Sequence, residues 1–256
     1  MKIGAQLFTV RDYCKTTDNF AQTLKRVAEI GYTSVQVSGT CAYDPQWLAE
    51  ELKKNNLTCD LTHTSFDRMC AETDTVVAEH KIFGCHYLGL GSMPAMWGME
   101  DKFQALAPFI EQARPMVKRV HELGGKVMYH NHDVEYYFGG ERNMMERLSD
   151  AFDADEFGFT LDTYWVQYSS HDPIKELERL SGRVDCIHLK DMELLPDGKK
   201  RFAPVGHGVM DFDAILAAAE KAGTKYAFVE QDDCFGADPF DCLKKSYDFL
   251  ASRGYR

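Results

Sequence analysis

Side chains of the kinds that bind metal ions stand at four places in this 256-residue chain: His130-Asn131-His132, Asp162, His188 and Glu230. Each of them ends an apolar, strand-like run, where a purely structural strand has no need of such groups. Imidazole nitrogen with carboxylate oxygen is a ligand set for Mn²⁺, Zn²⁺, Co²⁺ or Fe²⁺, whereas Mg²⁺ prefers more oxygen. The residue types therefore predict a site for one divalent metal, if the fold brings these positions together.

Each of these residues, taken singly, also has an ordinary structural explanation. A lone histidine at a strand end is more often a hydrogen-bonded structural residue than a ligand, and Asp162, followed by Thr163, could cap a helix. Four such positions at the ends of four successive predicted strands are harder to explain as independent caps. We therefore interpret them together as a metal site.

The elements that must position these side chains follow from the hydrophobic pattern, in which strand-like runs alternate with amphipathic stretches such as Phe20–Ile30 and Phe103–Val120. The predicted strands are Ile3–Phe8, Ser34–Val37, Thr58–Thr62, Cys85–Leu88, Lys126–His130, Phe157–Leu161, Cys186–Leu189 and Tyr226–Glu230. Eight strands, each followed by a helix, predict an α/β fold, a (β/α)8 TIM barrel. A dinucleotide-binding sheet would need a glycine fingerprint where Phe8-Thr9-Val10-Arg11 stands.

A barrel would also explain how the four candidate positions meet. The C-terminal ends of its strands five to eight are neighbours on one rim, so residues far apart in the chain can converge there. The long connections Gly89–Lys102, Asp133–Glu141 and Asp191–Asp211 all follow strands and belong to the same face. We expect them to form a substrate pocket.

The composition of the chain limits the classes of molecule that it is expected to bind. The chain has 40 acidic residues against 29 Lys and Arg, a formal charge of −11 that disfavours nucleic acid and anionic membrane surfaces. The run Met1–Leu7 does not resemble a signal peptide, no stretch reaches the roughly 18 to 20 apolar residues of a membrane span, and the eight cysteines form no CxxC pair. We expect a cytoplasmic protein with one domain over residues 1–256 and a small-molecule partner.

Five segments carry a recognisable combination of residues: Gly4–Asp12, Tyr129–Glu135, Leu161–Trp165, Ile187–Asp191 and Val229–Asp232. Together they resemble the sugar phosphate isomerase/epimerase family, the xylose isomerase-like TIM barrels, which also includes inosose dehydratase, ketose 3-epimerases, hydroxypyruvate isomerase, dehydroshikimate dehydratase and endonuclease IV. The similarity extends from residue 3 to the last predicted helix. It is specific for the fold and the metal site, and it says little about the substrate.

The resemblance implies a ligand set. Family members bind their metal, with Mn²⁺ favoured here over Zn²⁺, Co²⁺, Mg²⁺ or Fe²⁺, through Glu, Asp, His and Glu from strands five to eight, and Asp162, His188 and Glu230 match the last three places. The first place departs from the pattern, because His130 stands where epimerases have Glu. His132 is two residues further and points to the same side of a strand. We favour His130 as the ligand and His132 as a second polar contact.

The activity implied by the resemblance is isomerisation or epimerisation of a sugar or keto-polyol, by proton abstraction beside a metal-bound carbonyl or hydroxyl. Glu230 would act as base on one face of the carbon, with His132 or Glu135 on the other. The same groups suit a lyase, a dehydratase or eliminase of a keto-inositol or 3-keto-glycoside, which the histidine-rich fifth strand favours. A DNA-repair nuclease would need the histidine that Trp165 replaces, and a non-catalytic sugar-binding barrel is a further alternative.

Several other residues have implied contacts with substrate: Gln6, His63, Trp165, Lys190 and Arg201. Lys190 could instead support the neighbouring His188 or pair with Asp191, Trp165 could pack at the rim, and Arg201 could be an ordinary loop arginine. Aromatic residues and methionines within Met93–Trp97 and Tyr136–Phe138 are candidates to cover the pocket, although packing is the first expectation for them.

The absence of a phosphate-binding motif favours an unphosphorylated sugar as substrate. Dimers or tetramers are common among relatives.

Overall fold

The computed structural model describes residues 1–94, 96–137 and 141–256. Over these residues eight parallel strands close into a barrel, in which the last strand pairs with the first. The barrel strands are β1 Lys2–Gln6, β2 Ser34–Val37, β3 Thr58–His63, β4 Tyr87–Leu90, β5 Lys126–His130, β6 Phe157–Asp162, β7 Cys186–Leu189 and β10 Tyr226–Val229; a hairpin, β8 Asp191–Leu194 and β9 Lys200–Ala203, lies outside it. The predicted (β/α)8 TIM barrel is confirmed.

Helices surround the barrel and pack their apolar faces on it. Those in the described residues are α1 Thr17–Ile30, α2 Pro45–Lys54, α3 Phe66–Ala71, α4 Thr73–Ile82, α5 Leu106–Glu122, α6 Val134–Tyr137, α7 Met144–Ala151, α8 Thr163–Tyr168, α9 Pro173–Arg179, α10 Phe212–Ala222 and α11 Pro239–Ser252. Two of these helices begin at Asp-Pro pairs, where Asp172 and Asp238 each accept a hydrogen bond from the backbone N–H two residues later. No helix formed by the described residues is long and apolar enough to cross a membrane.

Five of the eight predicted strands differ from the structure in their bounds, three of them by a single residue and two, the first and the fourth, by more. The predicted strand Cys85–Leu88 is wrong in its bounds, because the strand begins only at Tyr87 and ends at Leu90. The backbone N–H of Cys85 instead bonds to the carbonyl of His80 and closes the end of α4. At the first strand, the Gln6 side chain accepts a hydrogen bond from the N–H of Phe8 and starts a 3-10 helix. Local hydrogen bonds at both places overrode an apolar pattern that looked like strand.

The connection after β7, expected to help form the substrate pocket, contains the hairpin of β8 and β9. Its turn is the Pro196-Asp197-Gly198 run, with Gly198 at a positive φ of 82°, a turn signal that was present in the sequence. Asp191 holds the rest of this connection, because its carboxylate accepts hydrogen bonds from the N–H groups of Gly206 and Gly208, both at 2.9 Å. The long loop is therefore an ordered part of the rim.

At the opposite, N-terminal end of the barrel lies a buried ion pair. Lys126 Nζ is 2.6 Å from Asp185 Oδ2, and the more exposed Lys225 Nζ is 2.7 Å from Asp185 Oδ1. Burial by itself raises the pKa of Asp185, but hydrogen bonds from the two lysines outweigh this effect and lower the pKa below its ordinary value. In TIM barrels this end serves stability rather than chemistry.

Replacing Asp185 with Asn should destabilise the protein by about 2 kcal/mol near pH 7, because the buried Lys126 ammonium loses its charged partner. A carboxyl group whose pKa is lowered by folding stabilises the protein above its unfolded pKa of about 3.9 and loses that effect as the pH falls through the folded pKa. Urea unfolding should therefore give a gap between wild type and Asp185→Asn at pH 5–7 that narrows below about pH 4. The exposed pair of Asp213 and Arg253 provides a control, and an Asp213→Asn variant with an equal effect would contradict the prediction.

Candidate metal centre

Four side chains converge at the C-terminal mouth of the barrel: His130, Asp162, His188 and Glu230. One potential ligand atom from each lies within 4.8 Å of the others, and all four residues are buried. Strand register produces this meeting, because Asp162 pairs with His188 across β6 and β7, and Glu230 stands two residues beyond Phe228, the β10 partner of His188. Since side chains alternate along a strand, these residues face the same interior.

His130 is oriented so that one ring nitrogen faces the cluster. Its Nδ1 is 3.1 Å from the backbone carbonyl oxygen of Gly91, which can only accept a hydrogen bond, so the proton belongs on Nδ1. Its Nε2 then points at Asp162 Oδ2, 3.1 Å away. A lone pair facing a carboxylate oxygen at this distance requires a cation or a proton between them.

His188 has the same arrangement with its nitrogens exchanged. Its Nε2 donates to Gln36 Oε1 at 2.6 Å, which leaves Nδ1 facing Glu230 Oε2 at 3.0 Å and Asp162 Oδ2 at 3.7 Å. Nδ1 of His188 is buried without a hydrogen-bond partner in the described part of the chain, and Oε2 of Glu230 is buried with the ammonium of Lys190 2.8 Å away. Buried polar atoms left without partners are expected where a ligand or ion binds.

The two roles considered for Asp162 fall on different oxygens. Its Oδ1 accepts a hydrogen bond from the N–H of Trp165 at 3.1 Å and caps α8, while Oδ2 faces the two imidazoles. The side chain of Asn131 holds the adjoining backbone, since its Oδ1 accepts from the N–H of Asp162 at 2.9 Å. The cap fixes the carboxylate in the direction that a metal ligand needs.

Lys190 introduces a positive charge beside the cluster. Its Nζ lies 2.9 Å from Asp162 Oδ2, 2.8 Å from Glu230 Oε2 and 3.0 Å from Asp232 Oδ1, and the side chain is 1% exposed. Burial by itself lowers the pKa of Lys190, but the three carboxylates outweigh it and raise that pKa well above the ordinary value. One ammonium against three carboxylates leaves an excess of two negative charges, which a divalent cation would balance.

The donor set and the charge balance therefore fit a divalent metal. Two imidazole nitrogens and two carboxylate oxygens are typical ligands of Mn²⁺, Zn²⁺, Co²⁺ and Fe²⁺. The acceptors behind the rings, Gln36 for His188 and the Gly91 carbonyl for His130, leave the metal-facing nitrogens unprotonated, as ligation demands. A buried His/Asp/His/Glu group that could hold a divalent ion is thus present.

His132 lies beside this group but outside it. Its ring packs near Trp97 and Trp165, with ring centroids 5.1 and 5.6 Å away, and its buried Nδ1 has no partner in the described part of the chain. Burial, reinforced by the neighbouring His130, lowers the pKa of His132 well below its ordinary value, so the ring is neutral at pH 7. The geometry groups His130 with the other three residues and leaves His132 free for a second contact.

A cavity of about 250 Å³, here called the inner cavity, opens directly on the cluster. It is lined by Phe8, Ser38, His63, Gly91, Ser92, Trp97, His130, His132, Lys190, Glu230 and Asp232. His63, predicted to contact substrate, lies on this wall; its Nδ1 is 3.1 Å from Ser38 Oγ, and its buried Nε2 has no partner within the described ranges. Lys190 also lines the cavity, and its contact with substrate stays a prediction.

Other predicted contacts lie further from the cavity. Gln6 is fully buried and uses its Oε1 on the N–H of Phe8, while the ring of Trp165 lies beside His132 and Lys190 with its Nε1 unpartnered among the described residues. Both have a donor to offer, so their roles toward substrate stay predictions.

Glu135 and Arg201 are engaged away from the inner cavity. Glu135 accepts hydrogen bonds from the hydroxyl of Tyr129 at 2.6 Å and the N–H of His132 at 2.9 Å, and burial raises its pKa to about 7. Arg201 pairs with Glu193 at 2.7 Å on the hairpin. The structure thus places Glu135 behind the His132 main chain and Arg201 on the rim.

The two segments expected to cover the pocket, Met93–Trp97 and Tyr136–Phe138, lie partly within the described residues. Trp97 lines the inner cavity, whereas Tyr136 is buried with its hydroxyl 3.3 Å from Glu176, which is a packing role. Ala95 and Phe138 lie outside the described residues.

Two functional candidates were missed in the sequence: Gln36, which orients His188, and Asp232, which pairs with Lys190. Gln36 had a signal, since it is a polar residue in the middle of the run Ser34–Val37 and pairs in register with Gln6. Two glutamines facing the interior of a barrel are unusual as core residues. The only signal for Asp232 in the sequence was its position two residues after Glu230.

Replacing Gln36 with Leu should weaken Mn²⁺ binding about 10- to 100-fold, because His188 Nε2 loses its acceptor and the ring loses the constraint that keeps Nδ1 unprotonated. Isothermal titration of the metal-free protein with Mn²⁺ measures the change. Gln36→Glu keeps an acceptor at the same place and should bind at least as tightly as wild type. Wild-type affinity in the Leu variant would show that Gln36 does not position the ligand.

Comparison with known proteins agrees with this architecture. Inosose dehydratase of Geobacillus kaustophilus (strain HTA426) is 26% identical over 195 residues, which cover 67% of this chain and 61% of that protein. A sugar phosphate isomerase/epimerase structure from Parabacteroides distasonis ATCC 8503 is 20% identical, covers 97% of this chain and 93% of its own, and has a TM-score of 0.76. An L-ribulose 3-epimerase structure is 13% identical over 98% of this chain and 94% of its own, with a TM-score of 0.73.

The two structural likenesses establish the fold alone, and the dehydratase is matched over less than two thirds of its length. The sequence profile of the xylose isomerase-like TIM barrels, in contrast, matches residues 24–253, nearly the whole chain. The predicted resemblance is confirmed, and the chain belongs to the xylose isomerase-like TIM-barrel family.

Proposed function

We propose that this protein is a divalent-metal-dependent isomerase or epimerase of a sugar or keto-polyol, with Mn²⁺ as the favoured ion. The observation that carries the proposal is the buried cluster of His130, Asp162, His188 and Glu230, whose surroundings have two uncompensated negative charges and which opens on a cavity. When bound there, a divalent ion polarises a substrate carbonyl and acidifies the adjacent C–H group. The sugar-processing relatives support the assignment to this class.

The proton is moved by the residues of the chain. Glu230 lines the inner cavity, and its Oε2 lies 2.8 Å from Lys190 Nζ and 3.0 Å from His188 Nδ1, so it is the carboxylate oxygen that removes a proton from the carbon next to the carbonyl. The neutral His132 lines the same cavity with a buried Nδ1 that has no partner among the described residues, so it accepts a proton from another side. Glu135 accepts a hydrogen bond from the backbone N–H of His132 and thereby fixes the position of His132.

The surroundings favour uncharged, hydroxylated substrates. His63 and Trp165 each present an unpartnered ring nitrogen, and Ser38 and Ser92 present hydroxyl groups on the cavity wall. Lys190 is already paired with three carboxylates, so it is poorly suited to bind a phosphate group. Hydroxyl recognition by such groups is the expected mode for a free sugar or polyol.

A metal-dependent dehydratase is the second candidate. It is favoured by the similarity to inosose dehydratase, which matches 67% of this chain. Loss of water begins with the same abstraction by Glu230. The two candidates differ only in where the second proton goes, to carbon in isomerisation and to oxygen in dehydration.

Proton NMR in D₂O with Mn²⁺-loaded and EDTA-treated protein tests both. The probes are L-ribulose, D-fructose and 2-keto-myo-inositol, and metal content is measured by elemental analysis. Deuterium entering beside the carbonyl with retention of all oxygens supports the isomerase, whereas a new enone signal supports the dehydratase. Turnover that does not need a metal would overturn the proposal. So would a purified protein that binds none of Mn²⁺, Zn²⁺, Co²⁺, Mg²⁺ and Fe²⁺.

A further inference from the structure

The inner cavity does not end at the metal centre. It continues into a second cavity of about 370 Å³, here called the outer cavity, and four residues line both: Ser38, His63, Gly91 and Ser92. The outer cavity is formed by the loops after β2, β3 and β4, on the side of the mouth away from Glu230. A ligand anchored at the cluster can therefore extend into it.

The passage between the two cavities is kept open by a glycine. A Cβ atom at Gly91 would lie 3.3 Å from Nδ1 of His63, closer than ordinary contact, and any longer side chain would project into this junction. The Gly91 carbonyl is at the same time the acceptor for His130, so the backbone must pass close to the cluster. His63 contributes its buried, unpartnered Nε2 from the same wall.

The size of the inner cavity limits what it can hold. At roughly 30 Å³ per water molecule, 250 Å³ is the space of about eight waters, which is comparable to one sugar ring. It is also below the range of about 300–1,000 Å³ that is usual for small-molecule pockets. The outer cavity offers somewhat more space than the inner one, enough for a second ring.

The chemistry of the outer cavity selects an uncharged, hydroxylated group. Within the described part of the chain its lining offers hydroxyl groups from Thr64, Ser65 and Ser92 and the carboxylate of Asp67, with the ring of Phe66, and it includes no lysine or arginine. A phosphate would meet a carboxylate there and no cation. Hydroxyl and carboxylate groups around an aromatic ring are instead suited to bind a neutral sugar.

We propose that the substrate is a glycoside with at least two rings, of which the reacting ring occupies the inner cavity and a second, neutral sugar ring occupies the outer cavity. The proposal rests on the proposed function for the reacting ring and extends it to the substrate class. Beyond Thr64 and Ser65 the cleft continues into a third cavity of about 470 Å³, where Arg68 and Glu79 neutralise each other at 2.7 Å. The third cavity therefore lengthens the cleft without adding net charge to it.

Binding of matched one-ring and two-ring sugars to the Mn²⁺-loaded protein tests this. The probes are methyl α-D-glucoside, maltose, trehalose and cellobiose, measured by titration calorimetry and by saturation-transfer NMR, which reports which ring touches the protein. At least one disaccharide should bind about tenfold more tightly than the methyl glucoside, with saturation transferred to both rings. Equal affinities, or no disaccharide binding, would overturn the proposal.

A variant that fills the outer cavity locates the second ring. Ser65→Trp places a large side chain there without altering a residue of the inner cavity, and it should remove the tenfold advantage of the disaccharide while leaving the methyl glucoside unaffected. Ser65→Thr keeps the hydroxyl that caps α3 and is the matched control for folding and Mn²⁺ binding, with disaccharide affinity close to wild type. An unchanged disaccharide affinity in Ser65→Trp would contradict the assignment of the second ring to this cavity.

The outcomes separate the two proposals. Absence of a disaccharide preference in the wild-type protein, with Mn²⁺-dependent exchange in D₂O intact, would overturn the two-ring substrate and leave the proposed function standing. Failure of the metal and exchange tests would overturn the proposed function, whatever sugars bind. Inorganic phosphate serves as a further probe, and tight phosphate binding that Ser65→Trp abolishes would overturn the assignment of the outer cavity to a neutral sugar.

Discussion

Replacing Glu230 with Gln should lower turnover by about 10³-fold at saturating Mn²⁺, because the variant keeps the size of the side chain and loses the basic oxygen. General base catalysis contributes roughly 10²- to 10⁴-fold, and Glu230 lines the inner cavity with its Oε2 2.8 Å from Lys190 Nζ and 3.0 Å from His188 Nδ1. Deuterium incorporation beside the substrate carbonyl is the measurement. Saturating metal separates loss of the base from loss of a ligand.

Asp233→Asn is the matched control for this variant. Asp233 carries the same functional group three positions along the chain, but it is exposed and caps a turn through the N–H of Phe235 at 2.7 Å. Its replacement should leave both metal binding and turnover at wild-type levels. If Glu230→Gln retained full turnover while folded and metal-loaded, the base would have to be another group, and His132 would be the next to test.

Replacing Lys190 with Met should destabilise the metal-free protein by about 3–5 kcal/mol, the usual effect of removing one partner from a buried ion pair. The ammonium of Lys190 is within 3.0 Å of oxygens from Asp162, Glu230 and Asp232, so its loss leaves three carboxylates facing one another. Added Mn²⁺ should restore much of this stability, because an ion that binds only the folded state stabilises it by mass action. Urea unfolding with EDTA and with Mn²⁺ measures both effects.

Lys225→Met serves as the control, since Lys225 pairs with Asp185 at the opposite end of the barrel and its side chain is 60% exposed. Its replacement should cost less stability, and Mn²⁺ should not compensate for the loss. An equal destabilisation of Lys190→Met with and without Mn²⁺ would show that the lysine has a packing role unrelated to the metal charge.

Much of the fold was readable from the sequence because its signals are local. The alternation of apolar runs with amphipathic stretches depends on residues within a few positions of one another, so it predicted eight strands and the barrel. The predicted bounds Ser34–Val37, Lys126–His130 and Cys186–Leu189 match the strands of the structure. The strand at Cys85 was misplaced because a hydrogen bond to His80 at the end of the preceding helix, rather than the apolar pattern, determines where it begins.

The candidate cluster was predictable for a related reason. Once a barrel is inferred, polar residues at the ends of successive strands must share one rim, which links His130, Asp162, His188 and Glu230 without any knowledge of distances. Their roles as ligands stay a prediction that the metal measurements will test. The family resemblance added the expected chemistry, and it did not distinguish isomerase from dehydratase.

The sequence by itself determined the barrel and the residue types at its mouth, since both follow from short-range patterns and topology. Only the tertiary structure decided which nitrogen of each imidazole faces the cluster, because that depends on acceptors such as Gln36, 152 residues from His188. It also decided that Lys190 shares three carboxylates, that Arg201 turns to Glu193, and that the inner cavity continues past Gly91. Contacts between side chains distant in sequence depend on how the strands close in space, and no local pattern encodes them.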